Sequence, residues 1–437
     1  MAIRTLRNPP LSFWLGLAAG LAVAASGILL WKQREDADVA RYREVRDWVS
    51  SNYVRNVGSG DLIDAALHGM VESLDGYSRY FDSEQIAGLE RDTTGHYRGI
   101  GVVFRPPLEA GRVLFALPDS PADRAGLRPG DTIQAVDGKA RTDLDAAEFQ
   151  AAIGEASSEE LELVVQGLDG AMRTLRMTRA ELVDPTVRHA QMLDAERGIA
   201  YLAITSFSRE TPAEFDRWIV ALQAQGMRAL VIDLRGNLGG VLHSAVLIAN
   251  RFIERGLIVS TEGRGEARRY EAERVEATLA NLPLALLVES DSASASEVLA
   301  AAVQDHRRGV LVGGQTYGKG MVQQVHPFGN DEAEVRLTTA YYYTPAHTNI
   351  ERTVQPGREH GLTPDLRVEL PRETALRVRE YLRHYSPPPG ALEALRAWEA
   401  AEKIELIETH PRDAQLEAAL ALFRGERPPP QPLEKRS

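Results

Sequence analysis

The 437-residue sequence predicts a mixed α/β fold, on three observations. From Pro185 onward, apolar runs of strand length alternate with amphipathic helical patterns, the signature of a sheet covered by helices. The stretches before Tyr97 and after Leu370 carry helical periodicity alone. Between Tyr97 and about Arg179, short strand-like runs are punctuated by glycine and proline, which marks a separate module inserted ahead of the alternating region. The resulting division is a 1–10 tip, an 11–31 apolar segment, a 35–96 helical region, a 97–182 module, a 185–370 core, and a 371–437 helical region with a disordered end.

The chain opens on Met1 to Pro10 with Arg4 and Arg7, and Leu11 to Trp31 then runs uncharged up to Lys32. At about 1.5 Å per residue, such a helix is long enough to cross a bilayer. Ala22-Val23-Ala24 and Ala24-Ala25-Ser26 offer the small residues of a cleavable signal peptide. Ile28-Leu29-Leu30-Trp31 carries the apolar run past them, which favours an uncleaved anchor with its arginines in the cytoplasm and the rest of the chain across the membrane. From Glu35 to about Leu89 the pattern is helical, with Val39, Tyr42, Val45 and Val49 on one face and Leu62, Ile63, Ala66, Leu67 and Met70 on the next.

In the inserted module, Gly99, Ile100, Gly101 and Val102 form a glycine-rich loop ahead of a strand, suited to receiving a terminal carboxylate on backbone N–H groups. Asp143 to Ile153 reads as a helix, and Leu161 to Gln166 as a later strand. In the core, Ile199 to Thr205 and Ala229 to Leu234 read as strands. Pro212 to Gln225 reads as a helix with Phe215, Trp218, Ile219 and Leu222 inward, and a further helix carries Leu242, Val246, Ala249 and Phe252. The final region holds two amphipathic patterns, Leu392, Leu395, Trp398 and Ile404, then Leu416, Leu420 and Phe423, before a polar Pro-rich end.

Chemistry concentrates between Glu289 and Gln324. The strand-like Leu284 to Val288 ends just before Ser294, and Val298, Leu299, Ala302 and Val303 follow at helical spacing. A serine at such a junction faces free backbone N–H groups and the positive end of the helix dipole. Its hydroxyl needs a base, and Lys319, within Gly318-Lys319-Gly320, becomes one if burial lowers its pKa. The interval of 25 positions leaves room for a helix and a strand to return the chain beside the serine. Gln323 lies four positions beyond; on a strand, even spacing puts its amide on the face of the amine, where it can orient it. Taken alone, Ser292, Ser294 and Ser296 equally suit a helix N-cap cluster.

The wording of these blocks resembles a known family. Ser292-Ala293-Ser294-Ala295-Ser296-Glu297 followed by Gly318-Lys319-Gly320-Met321-Val322-Gln323 is similar to the signature of the C-terminal processing peptidases, or tail-specific proteases. Asp233-Leu234-Arg235-Gly236-Asn237-Leu238-Gly239-Gly240 resembles their D-L-R-x-N-P-G-G, with Leu238 where proline is usual. Gly361-Leu362-Thr363-Pro364-Asp365 matches their closing block, and Leu74 to Phe81 is a partial match to L-D-P-H-S-x-Y. Ser120-Pro121-Ala122-Asp123-Arg124-Ala125-Gly126-Leu127 and Pro129-Gly130-Asp131 mark the module as PDZ-like.

The resemblance implies a ClpP/crotonase-like peptidase core with an inserted PDZ domain. It implies Ser294 as nucleophile, Lys319 as base and Gln323 as helper, with Ser292 and Ser296 structural. Backbone N–H groups stabilise the oxyanion of acyl transfer, and Ala295 and Gly239 are assigned that task, with Gly240 as fallback. The substrates implied are polypeptides with exposed C-termini, cleaved through an acyl-enzyme at the periplasmic side of a bacterial inner membrane, or in the periplasm after signal cleavage. A homo-oligomer and an adaptor protein are the further partners implied. The alternative function is a catalytically idle PDZ adaptor that tethers tails; a fold relative acting on acyl thioesters is a third class.

Composition narrows the field. The absence of cysteine removes disulfides, thiol catalysis and cysteine-bound zinc. A net charge of −12 and a pI near 5.5 argue against a nucleic-acid partner. His347 and His360 read as loop residues, no H-E-x-x-H block occurs, and neither metal nor cofactor is implied.

Overall fold

The computed structural model describes residues 37–82, 86, 96–154, 159–265, 267–328, 333–353, 360–406 and 410–426. The apolar 11–31 segment, the stretch toward Leu89, most of the 350–361 connection and the Pro-rich end lie outside the described residues. The chain forms two compact units, Met1–Asp82 with Pro327–Arg336, and Ser83–His326 with Leu337–Ser437. In the first, helix α1 (37–52) precedes α2 (Ser59–Glu72), and a strand Arg79–Asp82 pairs antiparallel with residues 333–336. The Asp75 carboxylate accepts from the N–H groups of Tyr77 and Ser78 and from the Ser78 hydroxyl, closing the turn into that strand. Of the apolar face foreseen for α1, Val39, Tyr42 and Val45 are exposed and Val49 is half-buried.

In the second unit, the inserted module is a set of short antiparallel pairings around Phe149, Leu163 and Val165, all buried. Its helix α3 (Ala146–Gly154) starts later than its periodicity suggests, because Asp145 and Glu148 form a reciprocal cap, each side chain accepting the other's N–H.

The core is a six-stranded sheet in simple sequential order: β1 (Val187–Asp194), β2 (Ile199–Ile204), β3 (Ala229–Asp233), β4 (Leu284–Val288), β5 (Val310–Gly313) and β6 (Leu366–Arg367). β1 is antiparallel to β2, and every later neighbour is parallel. Both faces are buried, as continuous apolar strands require. Ala200, Leu202, Ile204, Leu230, Ile232, Leu286 and Val288 face α4 (Thr211–Ala224), α5 (Leu242–Phe252) and α6 (Ala295–Asp305). In α4, Phe215, Ile219 and Leu222 are buried as read, but Trp218 turns outward. The alternate residues Ile199, Tyr201, Ala203, Val231 and Leu287 face Val378, Tyr381 and Leu382 of α7 (Arg372–Arg383) and Leu416 to Leu420 of α9 (Ala414–Arg424). Between α7 and α9 the chain leaves the sheet, and α8 (Pro389–Glu402) lays Leu395 and Trp398 on Phe115 of the PDZ-like module.

Two buried clusters fix the second face. Arg235 grips Asp233 through Nε and Nη2 at 3.0 and 2.7 Å, and Asp413 and Gln415 through Nη1 at 2.9 and 3.0 Å. Burial works against this charge, but Asp233 and Asp413 outweigh it and hold the guanidinium pKa above its usual range. Beside it, the His189 ring stacks on Tyr381 at 4.1 Å and the His410 ring meets Tyr201 and Tyr381 edge-on. Burial, aided by His410 and Arg188, pulls the His189 pKa down to about 4. Burial lowers His410 as well.

A histidine held neutral in the folded chain and protonated in the unfolded one makes the unfolded state the better proton acceptor. Stability from His189 is therefore full above about pH 6.5 and lost as pH falls toward 4, amounting to about 3 kcal/mol. Thermal unfolding followed across that range should show this acid decline. His189→Asn, an uncharged residue that tolerates the position's φ of +57°, should flatten it. An equally steep decline in the variant would place the acid sensitivity elsewhere.

Candidate active site

Three loops leave the carboxyl ends of three adjacent parallel strands: 234–241 after β3, 289–294 after β4, and 314–320 after β5. Parallel pairing aligns those ends, so the loops meet at one edge of the sheet.

Ser294 sits in the middle loop, immediately before α6, with φ of 55° and ψ of −115°. A non-glycine residue with positive φ is strained, and strain of this kind persists only where the surroundings enforce it. Ser294 stands at the N-cap of α6, where its backbone N–H closes a capping box with Glu297. Its flanking serines do structural work: the Ser292 hydroxyl donates to the Leu234 carbonyl at 2.9 Å and the Ser296 hydroxyl to the Asn237 carbonyl at 3.0 Å.

The glycine loop presses on this serine. A Cβ placed on Gly239 would lie 2.8 Å from Ser294 Cβ and 3.0 Å from the Ala295 nitrogen, at a φ of +104°. Only glycine fits that approach. Asn237, fully buried, stitches the two loops: its carbonyl accepts from Ala293 N–H, and its side chain donates to the Ile204 carbonyl at 2.7 Å. The same side chain accepts from Gly239 N–H at 2.8 Å. The Gly239 N–H, assigned as an oxyanion donor, is thus engaged by the Asn237 side chain in this structure. The amides of Ala295 and of the fallback, Gly240, are engaged by no hydrogen bond among the described residues.

Lys319 is partly buried in the third loop. The strand beyond it is Met321–Phe328, so Lys319 and Gln323 do not share one strand, and the even-spacing expectation fails. Gly320 explains the late start: its N–H goes to Glu351 at 2.9 Å instead of into a ladder, and a Cβ there would meet Asn349 and Glu351 at 2.8 Å. The Gln323 amide donates to Thr338 at 3.4 Å.

What joins serine and lysine is a residue the motif reading passed over. Glu297, fully buried in the first turn of α6, accepts from Ser294 N–H and Lys319 N–H through Oε2, each at 2.9 Å. Through Oε1 it accepts from the Thr316 hydroxyl at 2.6 Å and Gly318 N–H at 2.7 Å. Burial raises its pKa, and these four donors act against the rise. The S-x-x-E capping box at Ser294 was the available sequence signal. Among the described residues, no cluster of His, Asp or Glu could hold a metal ion.

The PDZ-like module holds a cleft of about 550 Å³. Gly99 ends one strand, Ile100 is buried, Gly101 has a φ of +73°, Val102 opens the next strand, and all four line this cleft opposite Ala147, Gln150 and Ala151 of α3.

An inserted PDZ-like module with a cleft, and a sheet edge that carries a strained serine and a glycine loop, define a PDZ-bearing serine peptidase. Comparison with known proteins agrees. Residues 198–368 match Peptidase family S41, 116–167 a PDZ domain, and 29–85 the activating protease CtpB N-terminal domain. The chain is 31% identical to the carboxy-terminal-processing protease of Bartonella bacilliformis, over 94% of both chains. It is 30% identical to the carboxy-terminal processing protease CtpA of Bacillus subtilis, covering 77% of this chain and 70% of that one. It is 32% identical to the chloroplastic C-terminal processing peptidase of Tetradesmus obliquus, over 68% and 65%. The chain belongs to the carboxy-terminal processing proteases of peptidase family S41, and it is a serine protease.

Glu297→Gln tests the bridge. An amide turns one acceptor oxygen into an NH₂ facing backbone donors, and an unsatisfied buried group of this kind costs on the order of 1–3 kcal/mol. Proteolysis should drop by about a hundredfold or more while far-ultraviolet circular dichroism keeps its native shape. Full activity in this variant would show that Ser294 and Lys319 hold their places without the carboxylate.

Proposed function

We propose that this protease captures exposed polypeptide C-termini in the PDZ cleft and cleaves peptide bonds through an acyl-enzyme formed on Ser294. Ser294 Oγ attacks the scissile carbonyl carbon while Lys319 Nζ takes its proton. That proton passes to the leaving amine as the C–N bond breaks, leaving an ester on Ser294. Water, deprotonated by the same amine, then hydrolyses the ester and restores the serine. Ala295 and Gly240 supply the N–H groups that meet the oxyanion. Gln323, whose amide donates to Thr338 in the resting chain, turns toward the amine to orient it.

The observation that carries this reading is the single Glu297 carboxylate that takes the N–H groups of both Ser294 and Lys319. The strained serine backbone and the close approach of Gly239 support it. The proposed setting is the periplasmic face of an inner membrane, on the strength of the uncharged Leu11 to Trp31 segment behind Arg4 and Arg7. A homo-oligomer is the proposed assembly, because Val45 and Trp48 of α1 are 58% and 68% exposed, an apolar face that a second copy would cover. An adaptor protein is the further proposed partner.

Incubation of the full chain with an unstructured polypeptide, beside Ser294→Ala and Lys319→Ala, tests the chemistry. Each variant should lose roughly a thousandfold or more in hydrolysis. The parent's rate should fall in acid as the amine of Lys319 protonates. Equal substrate loss in all three proteins, or a rate flat with pH, would remove the serine/lysine mechanism and leave the PDZ domain as a tether.

A further inference from the structure

The PDZ cleft has one lining residue that the PDZ module does not supply. Tyr385, from the segment joining α7 to α8, lines it together with Tyr97, Arg98 and the Gly99 to Val102 loop. The tyrosine is held from two sides. Its hydroxyl donates to Asp184 Oδ1 at 2.7 Å, and the Arg188 guanidinium lies over its ring, 4.2 Å from the centroid. Arg188 is fixed in turn, donating to the carbonyls of Pro185 and Arg383 at 2.8 and 2.6 Å and to Asp184 at 3.0 Å. Next along the chain, the Ser386 hydroxyl accepts from His189 N–H at 3.0 Å, and α8 then docks on Phe115 at the back of the module. The ring is therefore a stationary wall, with its hydroxyl taken and its carbon surface available. Ile100, Val102, Phe104, Leu108 and Ile153 give the cleft apolar surface, with Arg98 and Gln150 as its polar members.

We propose that Tyr385 is a specificity-determining residue of the tail-binding cleft, contributed by the C-terminal segment of the peptidase, and that its ring limits the size of the apolar terminal side chain the cleft accepts. The inference rests on the tail-capture reading of the preceding subsection. Tyr97 and Arg98 lead directly into the carboxylate-receiving loop, and Tyr385 lines the same cleft as all of them, so its ring shares the space that an arriving tail would enter. A fixed aromatic wall there discriminates by volume, since burial of apolar surface rewards a side chain that fills the space and overpacking penalises one that exceeds it.

The test uses the full chain made inert by Ser294→Ala, and labelled decapeptides identical except for a terminal Ala, Val, Leu or Phe, each as free acid and as amide. Fluorescence anisotropy should show free-acid tails binding more tightly than amides, with Val or Leu above Phe. Adding Tyr385→Ala should raise Phe-ended tails relative to Val-ended ones by about tenfold. Tyr385→Phe, which keeps the ring and loses the bond to Asp184, should retain the parent order. Tyr385→Trp should penalise Phe-ended tails further, and it keeps the question open to test if the alanine variant melts early. An unchanged order of tails in both the Ala and Trp variants, or a uniform loss across all tails, would make Tyr385 a strut only. Failure of the parent to distinguish acid from amide sinks tail capture itself, and the role of Tyr385 with it.

Discussion

One buried carboxylate organises the catalytic edge of this protease. Glu297 has no exposed surface, and burying an ionised carboxyl without partners costs several kcal/mol. Four donors on two loops offset that cost, and each has its position specified in return. Two of those donors are the main-chain N–H groups of the proposed nucleophile and base. The strained backbone of Ser294 persists because the bond to Glu297, the Gly239 contact and the Tyr342 hydroxyl on its carbonyl all restrain the same residue.

A second buried charge does for the glycine loop what Glu297 does for the other two. Arg235 lies two residues past the end of β3, and its grip on Asp233, Asp413 and Gln415 pins the start of the loop to the N-terminus of α9. Asn237, two residues on, reaches forward to the Gly239 amide and across to Ala293 and Ser296. Loops at strand ends have no ladder of their own to fix them, so satisfied buried polar groups take over that task. The apolar faces of the sheet supply stability, and these two ions supply register.

The sequence was most informative where a local rule operates. Continuous apolar runs located β2, β3 and β4, and period-3.6 patterns α4 and α5, to within a residue or two, and the Ser294 junction was legible from an apolar run meeting a helical one. It was less informative where a side chain from elsewhere decides a backbone bond. Gly239 reads as a free donor until Asn237 is seen to occupy it, and Lys319 reads as part of a strand until Glu351 is seen to take the Gly320 amide. Trp218 and most of the α1 apolar face follow helical periodicity but remain exposed, because periodicity names a face and not what covers it. Arg235 and Asp413, like Tyr385 and the PDZ cleft, are joined only by the tertiary fold, and no spacing rule reaches that far.

The C-terminal segment carries more of the site than its distance from the motifs suggests. α7 and α9 cover one whole face of the sheet, α8 crosses to the PDZ module, and Tyr385 enters the cleft between these attachments. Arg235 draws two of its three side-chain partners from residues 413 and 415. Until that part of the chain has docked, the guanidinium lacks acceptors for one arm, and the loop that holds Asn237, Gly239 and Gly240 keeps its bonds at Asp233 and Asn237 without the tie to α9. The glycine loop is therefore completed by the last helix of the fold. Damage to α9 should register at the glycine loop before it reaches the strand order of the sheet, because β2 to β5 pair without it.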